Sequence, residues 1–545
     1  MISRYMLLPA SLLLAGLAGC ASVPADWGRA DVVQIASDRG RSFPADQDAR
    51  RFTDKALRAP LTADTAIQLA LLNNPAVRRE TAQLGFAAAE LYDAGRLANP
   101  TFSFLRLSGD SSAGANMPQL TLGIAFNFAN LLFLPANTRF AKAGFEAAKL
   151  NVAAIALDLA ANVEQAWFEA VGADQVARMR DAAAKAQQAS AALAQRFYEA
   201  GNINPRELAM ERAAASQASL SAISAKAAAV EARTSLNRLM GLSAAQDNWT
   251  LDARLPELPS QEPPIADLQQ LAMDSRLDIQ SLRLRAEAIA DRYGVTRRTR
   301  LVNGIEVGAE RERDFDGALN VGPTLSLELP LFNWGGGRVA AIQAALDQAE
   351  AELDQAVLDA SNDVQLAIAK IGAKRSLADE YRQVLIPAQD AVVDQAQLEQ
   401  NFMLIGIFEV ILAKQQAYDA YAGYLESIRD YWIARSELSR AVGRDLPIHG
   451  QKESSSLSVD KFLQPKGGGA DHSQHSMGGM KHDMKSMKGM EGMPMNDMGG
   501  SAAEGRDSPS AHEGHSMKQM PDAGSDAPPP KAPSGGPAKT TPHHH

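Results

Sequence analysis

Eight methionines fall within residues 477–498: Met477, Met480, Met484, Met487, Met490, Met493, Met495 and Met498. His472, His475 and His482 stand beside them, and His512, His515, Met517 and Met520 form a second group. The surrounding stretch, residues 448–545, is rich in Gly, Ser, Lys and Pro. It holds too little apolar surface to offset the entropy of ordering, so its composition predicts disorder. Methionine has no packing role in such a segment. A thioether is a soft, uncharged ligand that suits copper(I) or silver(I), and imidazole extends the set to copper(II). Thioethers need no deprotonation, so methionine sites persist at low pH where histidine sites weaken. The tail is expected to bind copper or silver ions.

The rest of the sequence argues against catalysis. All nine histidines lie at His449 or later, and Cys20 is the one cysteine. A His-dependent triad or a His-ligated catalytic metal in the first 448 residues is excluded, as are disulfides and Cys-type zinc sites within one chain. With 54 basic against 64 acidic side chains, net charge -10, the chain has no basic excess for nucleic acid. No enzyme is expected, and no cofactor is required.

Residues 1–19 read as a signal peptide: Arg4, an apolar run broken only by Ser11, then Ala18 and Gly19. Leu17-Ala18-Gly19-Cys20 resembles the bacterial lipobox, which implies a covalent lipid on Cys20 and stable membrane anchoring. Ala21 in place of Asp implies passage to the outer membrane. Residues 20–60 are expected to be an extended segment.

From residue 61 the chain is written twice. Leu69-Ala70 and Val77 recur as Leu271-Ala272 and Ile279, Val163 as Val364, and Glu207-Leu208 as Glu409-Val410, at offsets of 201 or 202. Repeat one spans residues 61–250 and repeat two residues 264–447. Each is expected to hold a helix, two strands, a very long helix, a tight turn and a further helix. Val339, Ile342, Leu346, Ala349 and Leu353 step as a coiled-coil seam, as do Tyr418, Tyr421, Leu425, Ile428 and Trp432. Pro387 is expected to kink the helix that starts near Arg338, a rod of roughly 100 Å.

The strands exclude a simple helical bundle. Leu120, Leu122, Ile124, Phe126 and Phe128 alternate with small or polar residues, as do Leu319, Val321, Pro323, Leu325, Leu327 and Leu329. About ten residues of such alternation mark a strand with lipid on one side and water on the other. Strands are expected at about 100–107, 119–129, 302–312 and 318–330. Four strands cannot close a barrel, so the protomer must oligomerise through its sheet; two copies would give eight strands and three would give twelve.

Together these features resemble the TolC family of outer-membrane efflux ducts. The resemblance covers residues 61–447. Its local signatures are Asn73-Asn74-Pro75, Pro330-Leu331-Phe332-Asn333-Trp334-Gly335, and Asn401 to Glu409 through Phe402-Met403-Leu404-Ile405-Gly406-Ile407-Phe408. It implies a homotrimer, mainly α, with a twelve-stranded outer-membrane β-barrel continued by a long periplasmic helical coiled-coil barrel. A periplasmic adaptor and an inner-membrane RND-type pump dock at its tip. It further implies adaptor contacts at the turns holding Gly201, Asn202, Pro205, Met403, Leu404 and Gly406. Glu207 and Glu409, six residues past Gly201 and Met403, become candidates for acidic rings at the tunnel constriction; as helix-start glutamates they also suit the macrodipole. The expected function is export of heavy-metal ions, most of all copper(I) or silver(I). A duct for drugs with an incidental tail, and a non-conducting copper-sequestering lipoprotein, stay open.

Overall fold

The computed structural model describes residues 26–43, 49–108, 117–251, 255–259, 262–302 and 304–446. The signal segment, Cys20 and the Met/His tail lie outside the described residues. The chain divides into two units, Met1–Ala470 and Asp471–His545, the second wholly outside that set.

Two short helices, α1 (Arg29–Ser37) and α2 (Ala49–Ala56), open the first unit. Repeat one follows as α3 (Ala63–Asn73), α4 (Pro75–Ala94), β1 (Thr101–Leu107), β2 (Gln119–Asn127), α5 (Phe128–Glu199) and α6 (Pro205–Leu239). Repeat two is α7 (Ile265–Ser275), α8 (Leu277–Arg298), β3 (Ile305–Arg313), β4 (Leu319–Leu327), α9 (Gly336–Glu380), α10 (Ile386–Asn401) and α11 (Ile407–Val442). Among the described residues no helix is long and apolar enough to cross a membrane.

Within residues 20–60, expected to be extended, the described parts hold the helices α1 and α2. Val32 and Ala36, one helical turn apart, are buried on α1, and this pairing orders the segment. Electrostatics then tie it to both repeats. Arg39 donates to the Ser275 carbonyl (3.0 Å), Lys149 pairs with Asp31 (2.6 Å), and Arg41 pairs with Glu164 (2.7 Å) and Asp445 (3.0 Å). Burial, only partly offset by Arg41, pushes the Glu164 carboxyl above the usual range.

Each repeat opens with two helices rather than one, because a single residue breaks the run. Asn74 and Arg276 sit 202 positions apart with nearly the same backbone (φ -65, ψ 123 and φ -65, ψ 121). The Asn73-Asn74-Pro75 signature now has a physical role. The Asn74 side chain accepts from Ala76 N–H (2.8 Å), Pro75 starts α4, and Asn74 Nδ2 donates to the Leu239 carbonyl at the end of α6 (2.8 Å). Gly241 turns there at φ 69, and a Cβ would lie 2.8 Å from the Asn73 backbone; Gly443, at φ 77, crowds Arg276 in the same way.

The strands end earlier than the alternation suggested. Asn127 accepts from Asn130 N–H (3.1 Å) and so caps α5, which takes Phe128 and Ala129 into the helix. Strand β4 stops at Leu327, ahead of the Pro330 turn in which Gly335 (φ 72) caps α9. Regular α-helix is interrupted just ahead of Pro387, which falls in the first turn of α10. A π-turn at Tyr381–Leu385 widens the helix one turn ahead and absorbs the missing N–H. The seam from Val339 to Leu353 is packed or half-packed throughout, and the α11 seam is buried save for half-buried Tyr418.

The main core lies where α3, α5, α9 and α11 meet. Leu69, Val163, Ile428 and Tyr431 are fully covered, and Phe168 stacks on Trp432 at 5.4 Å between ring centres. Among the described residues all three buried indoles find acceptors: Trp167 donates to Leu61 O (2.9 Å), Trp249 to Asn237 Oδ1 (2.7 Å) and Trp432 to Pro256 O (2.8 Å).

Candidate functional site: the sheet and the helical turns

The four strands form one antiparallel sheet in the order β1-β2-β3-β4, with β1 and β4 as open edges. Its register sorts every side chain onto one of two faces. On one face lie Phe102, Phe104, Leu120, Leu122, Ile124, Phe126, Val307, Val321, Leu325 and Leu327. Most of these large apolar groups are exposed in a single chain; Phe104 is 62% and Val321 71% accessible. The other face carries Ser103, Thr121, Gly123, Asn127, Gly308, Asn320, Gly322, Thr324 and Ser326, with Leu105 and Leu107 as the large apolar exceptions on β1. That is the lipid-and-lumen division expected of membrane strands.

A feature not singled out in the sequence lies on the polar face. Glu306, Glu310 and Glu312 all project there from β3, opposite Asn127 and Ser326, Gly123 and Gly322, and Thr121 and Asn320. Glu312 also accepts from Gln119. The signal was present, since glutamates at alternate positions of one strand share a face. Among the described residues no group of three His, Cys, Asp or Glu side chains is arranged to hold a metal ion. The three carboxylates place a column of negative charge along that face.

At the other end of the long helices, the two turns repeat one geometry. Asn202 N–H donates to Phe197 O (2.8 Å) and Gly201 N–H to Tyr198 O (2.9 Å); Leu404 to Glu399 O (2.9 Å) and Met403 to Gln400 O (2.9 Å) match them at an offset of 202. Both are left-handed helix ends, with Gly201 at φ 78 and Met403 at φ 59. Phe197 and Phe408 meet edge-to-face at 5.9 Å, which brings the two turns together. Phe402, Met403 and Leu404 are 76%, 92% and 73% accessible, leaving an apolar tip uncovered.

Glu207 and Glu409 hold the same third position of α6 and α11. The Glu207 carboxylate is engaged locally. It accepts from Asn204 N–H (3.2 Å) and Asn204 Nδ2 (2.8 Å), while Asn204 Oδ1 accepts from Glu207 N–H (3.0 Å). That is a capping box, with Pro205 as the first helical residue. The second turn has Gly406 in place of that asparagine and no side-chain cap, and Glu409 Oε2 folds back to within 2.7 Å of where a Gly406 Cβ would stand.

Met403 is a side chain in a backbone region that suits glycine. Met403→Gly is expected to stabilise this turn by about 1 kcal/mol, the left-handed penalty less the added glycine freedom. Slower amide exchange at Met403 and Leu404 measures it; equal or faster exchange means the methionine is locally favoured.

A sheet with one apolar and one largely polar face at one end of paired helical hairpins, with paired turns at the other, is the architecture of a TolC-like fold. Residues 66–242 match the model of the family described as outer membrane efflux protein. The chain is 21% identical over 386 residues to the cobalt-zinc-cadmium resistance protein CzcC of Cupriavidus metallidurans, covering 71% of this chain and 90% of that protein. The crystal structure of CusC superposes with a TM-score of 0.55 at 17% identity, covering 70% of this chain and 92% of that one. VceC from Vibrio cholerae superposes with a TM-score of 0.58 at 16% identity, covering 74% and 99%. Over residues 66–242 the chain matches the outer membrane efflux family, and its fold is that of the outer-membrane channels on which it superposes.

Proposed function

We propose that three copies of this chain form a lipid-anchored duct that carries heavy-metal cations, copper(I) or silver(I) above all, out of the periplasm. The observation that carries the choice of metal is the run of eight methionines in residues 477–498, with its flanking histidines, on an efflux-channel chain. CzcC is described as a cobalt-zinc-cadmium resistance protein, which supports metal as the cargo class. The soft thioether donors turn the choice toward monovalent soft ions.

Trimerisation is supported by two features of the single chain. The sheet has two open edges, which hydrocarbon does not tolerate. Leu220, Ile223 and Val230 on α6, and Leu358 and Leu366 on α9, are each more than half accessible, stripes that neighbouring copies would cover. A periplasmic adaptor fed by an RND-type pump would seat on the apolar turns. Glu207 and Glu409 would stand there as rings of three carboxylates; capping engages Glu207, so Glu409 is the stronger ring. Cys20, lying outside the described residues, would carry the lipid.

Deleting residues 467–520 is expected to lower copper tolerance and the copper(I) stoichiometry of the purified protein while leaving trimer and conductance intact. Methionine ligation predicts that binding survives acidification to pH 5. Unchanged copper sensitivity and stoichiometry in the deletion strain discard the metal assignment and favour an organic-compound duct.

A further inference from the structure

The apolar face of the sheet is not apolar along its whole height. Arg106 pairs with Leu120, which pairs on its other side with Arg313, whose β4 partner is Leu319. The next row toward the helices is Phe104, Leu122, Arg311 and Val321. Three arginines thus cluster on the lipid side at the hairpin end, and below them the rows are Phe102, Ile124, Ala309 and Pro323, then Phe126, Val307 and Leu325. Arg106 and Arg313 are two strand spacings apart, about 9.6 Å, and Arg311 lies one pleat repeat, about 6.8 Å, deeper.

The alternation places Glu310 and Glu312 on the opposite face, so the sheet separates the nearest carboxylates on β3 from these guanidinium groups. In the hairpin turn, Asp314 accepts from Asn320 and Asp316 from Ala318 N–H. Among the described residues no carboxylate pairs with Arg106, Arg311 or Arg313, and Nε of Arg313 is buried without an acceptor. Arginine on a lipid-facing strand is costly at mid-bilayer and tolerated near the interface, where its long stem lets the head reach polar groups. Its planar fork matches phosphate oxygens two at a time.

We propose that Arg106, Arg311 and Arg313 form a site for the phosphate groups of lipid headgroups in the outer leaflet, one site per protomer. With the long helices on the periplasmic side, the hairpin end meets that leaflet. The site fixes the depth of the barrel and clamps lipid around it. It rests on the sheet facing lipid and is independent of which cargo passes inside.

The test is native mass spectrometry of the full-length trimer in detergent with added bisphosphorylated lipid A, dephosphorylated lipid A or inorganic phosphate. The wild-type protein is expected to retain the bisphosphorylated lipid and to lose it as salt rises. The R106Q/R311Q/R313Q variant is expected to retain about tenfold less or lower still, from the loss of charge-assisted contacts. R106K/R311K/R313K, which keeps charge but not the fork, should fall between. Single-channel conductance of each variant reports barrel integrity separately; should the triple variant fail to insert, R106Q and R313Q alone serve. Equal retention by wild-type and glutamine variants, or equal retention of the dephosphorylated lipid, overturns the site. Displacement of the lipid by inorganic phosphate assigns it to the free anion and overturns the lipid reading.

Discussion

Replacing Glu306, Glu310 and Glu312 together by lysine is expected to turn a cation-preferring channel into an anion-preferring one. All three carboxylates share the polar face of β3 and have small or polar cross-strand neighbours. In the proposed trimer three per chain would become nine around one passage, where summed charge raises the local concentration of counter-ions. The ratio of cation to anion permeability, from reversal potentials in planar bilayers, should shift by about tenfold or more. Glutamine at the same positions should give an intermediate ratio. The difference should fade as ionic strength shortens the screening length to a few ångströms. Glycine and serine neighbours leave room for lysine, so the barrel is expected to persist. An unaltered ratio at low salt would mean that this face does not line the conducting path, and the inside-outside assignment of the sheet would fall with it.

The second large effect is on folding. Trp432 is 1% accessible, stacked on Phe168, perpendicular to Tyr431, and donating to the Pro256 carbonyl. Trp432→Ala removes the ring, leaves a cavity at the meeting of α5 and α11, and orphans the carbonyl. The expected loss is about 3–5 kcal/mol, a large share of a typical domain's stability. Hydrogen exchange of the purified trimer should show lost protection in the middle of α5 and α11, while the β-strand amides keep theirs. Trp432→Phe keeps the stacking and should cost less. A uniform loss of protection in every element would mean that the main core and the sheet fold as one unit. No loss at all would mean that the site repacks around the gap.

Several features were readable because they repeat with a period the fold enforces. Alternation over Leu120 to Phe126 and Leu319 to Leu327 located both central parts of β2 and β4, since a strand with two different solvents must alternate. The offset of 202 held down to single hydrogen bonds at Gly201 and Met403, because a duplicated turn keeps its backbone even when its residues change. Strand ends were less legible. Phe128 and Ala129 continue the alternation, yet Asn127 caps a helix there, and a cap is a local hydrogen bond that periodicity does not register. The helices α1 and α2 are illegible in the sequence for a related reason. Both are short, and the ion pairs of Asp31 on α1 and of Arg41 just after it reach residues more than one hundred positions away.

Sequence alone determined that this chain carries no histidine chemistry in its body, that it is duplicated, and that it must borrow strands from neighbours to enter a membrane. Those conclusions follow from composition, spacing and the cost of unpaired backbone in hydrocarbon. Tertiary structure decided which side chains act together. Glu306, Glu310 and Glu312 become one field, and Arg106 becomes the neighbour of Arg311 and Arg313, through a register linking strands almost two hundred residues apart. Alternation fixes the face each side chain takes, but β2 and β3 are far apart in the chain and no hairpin turn sets which of their residues stand opposite each other.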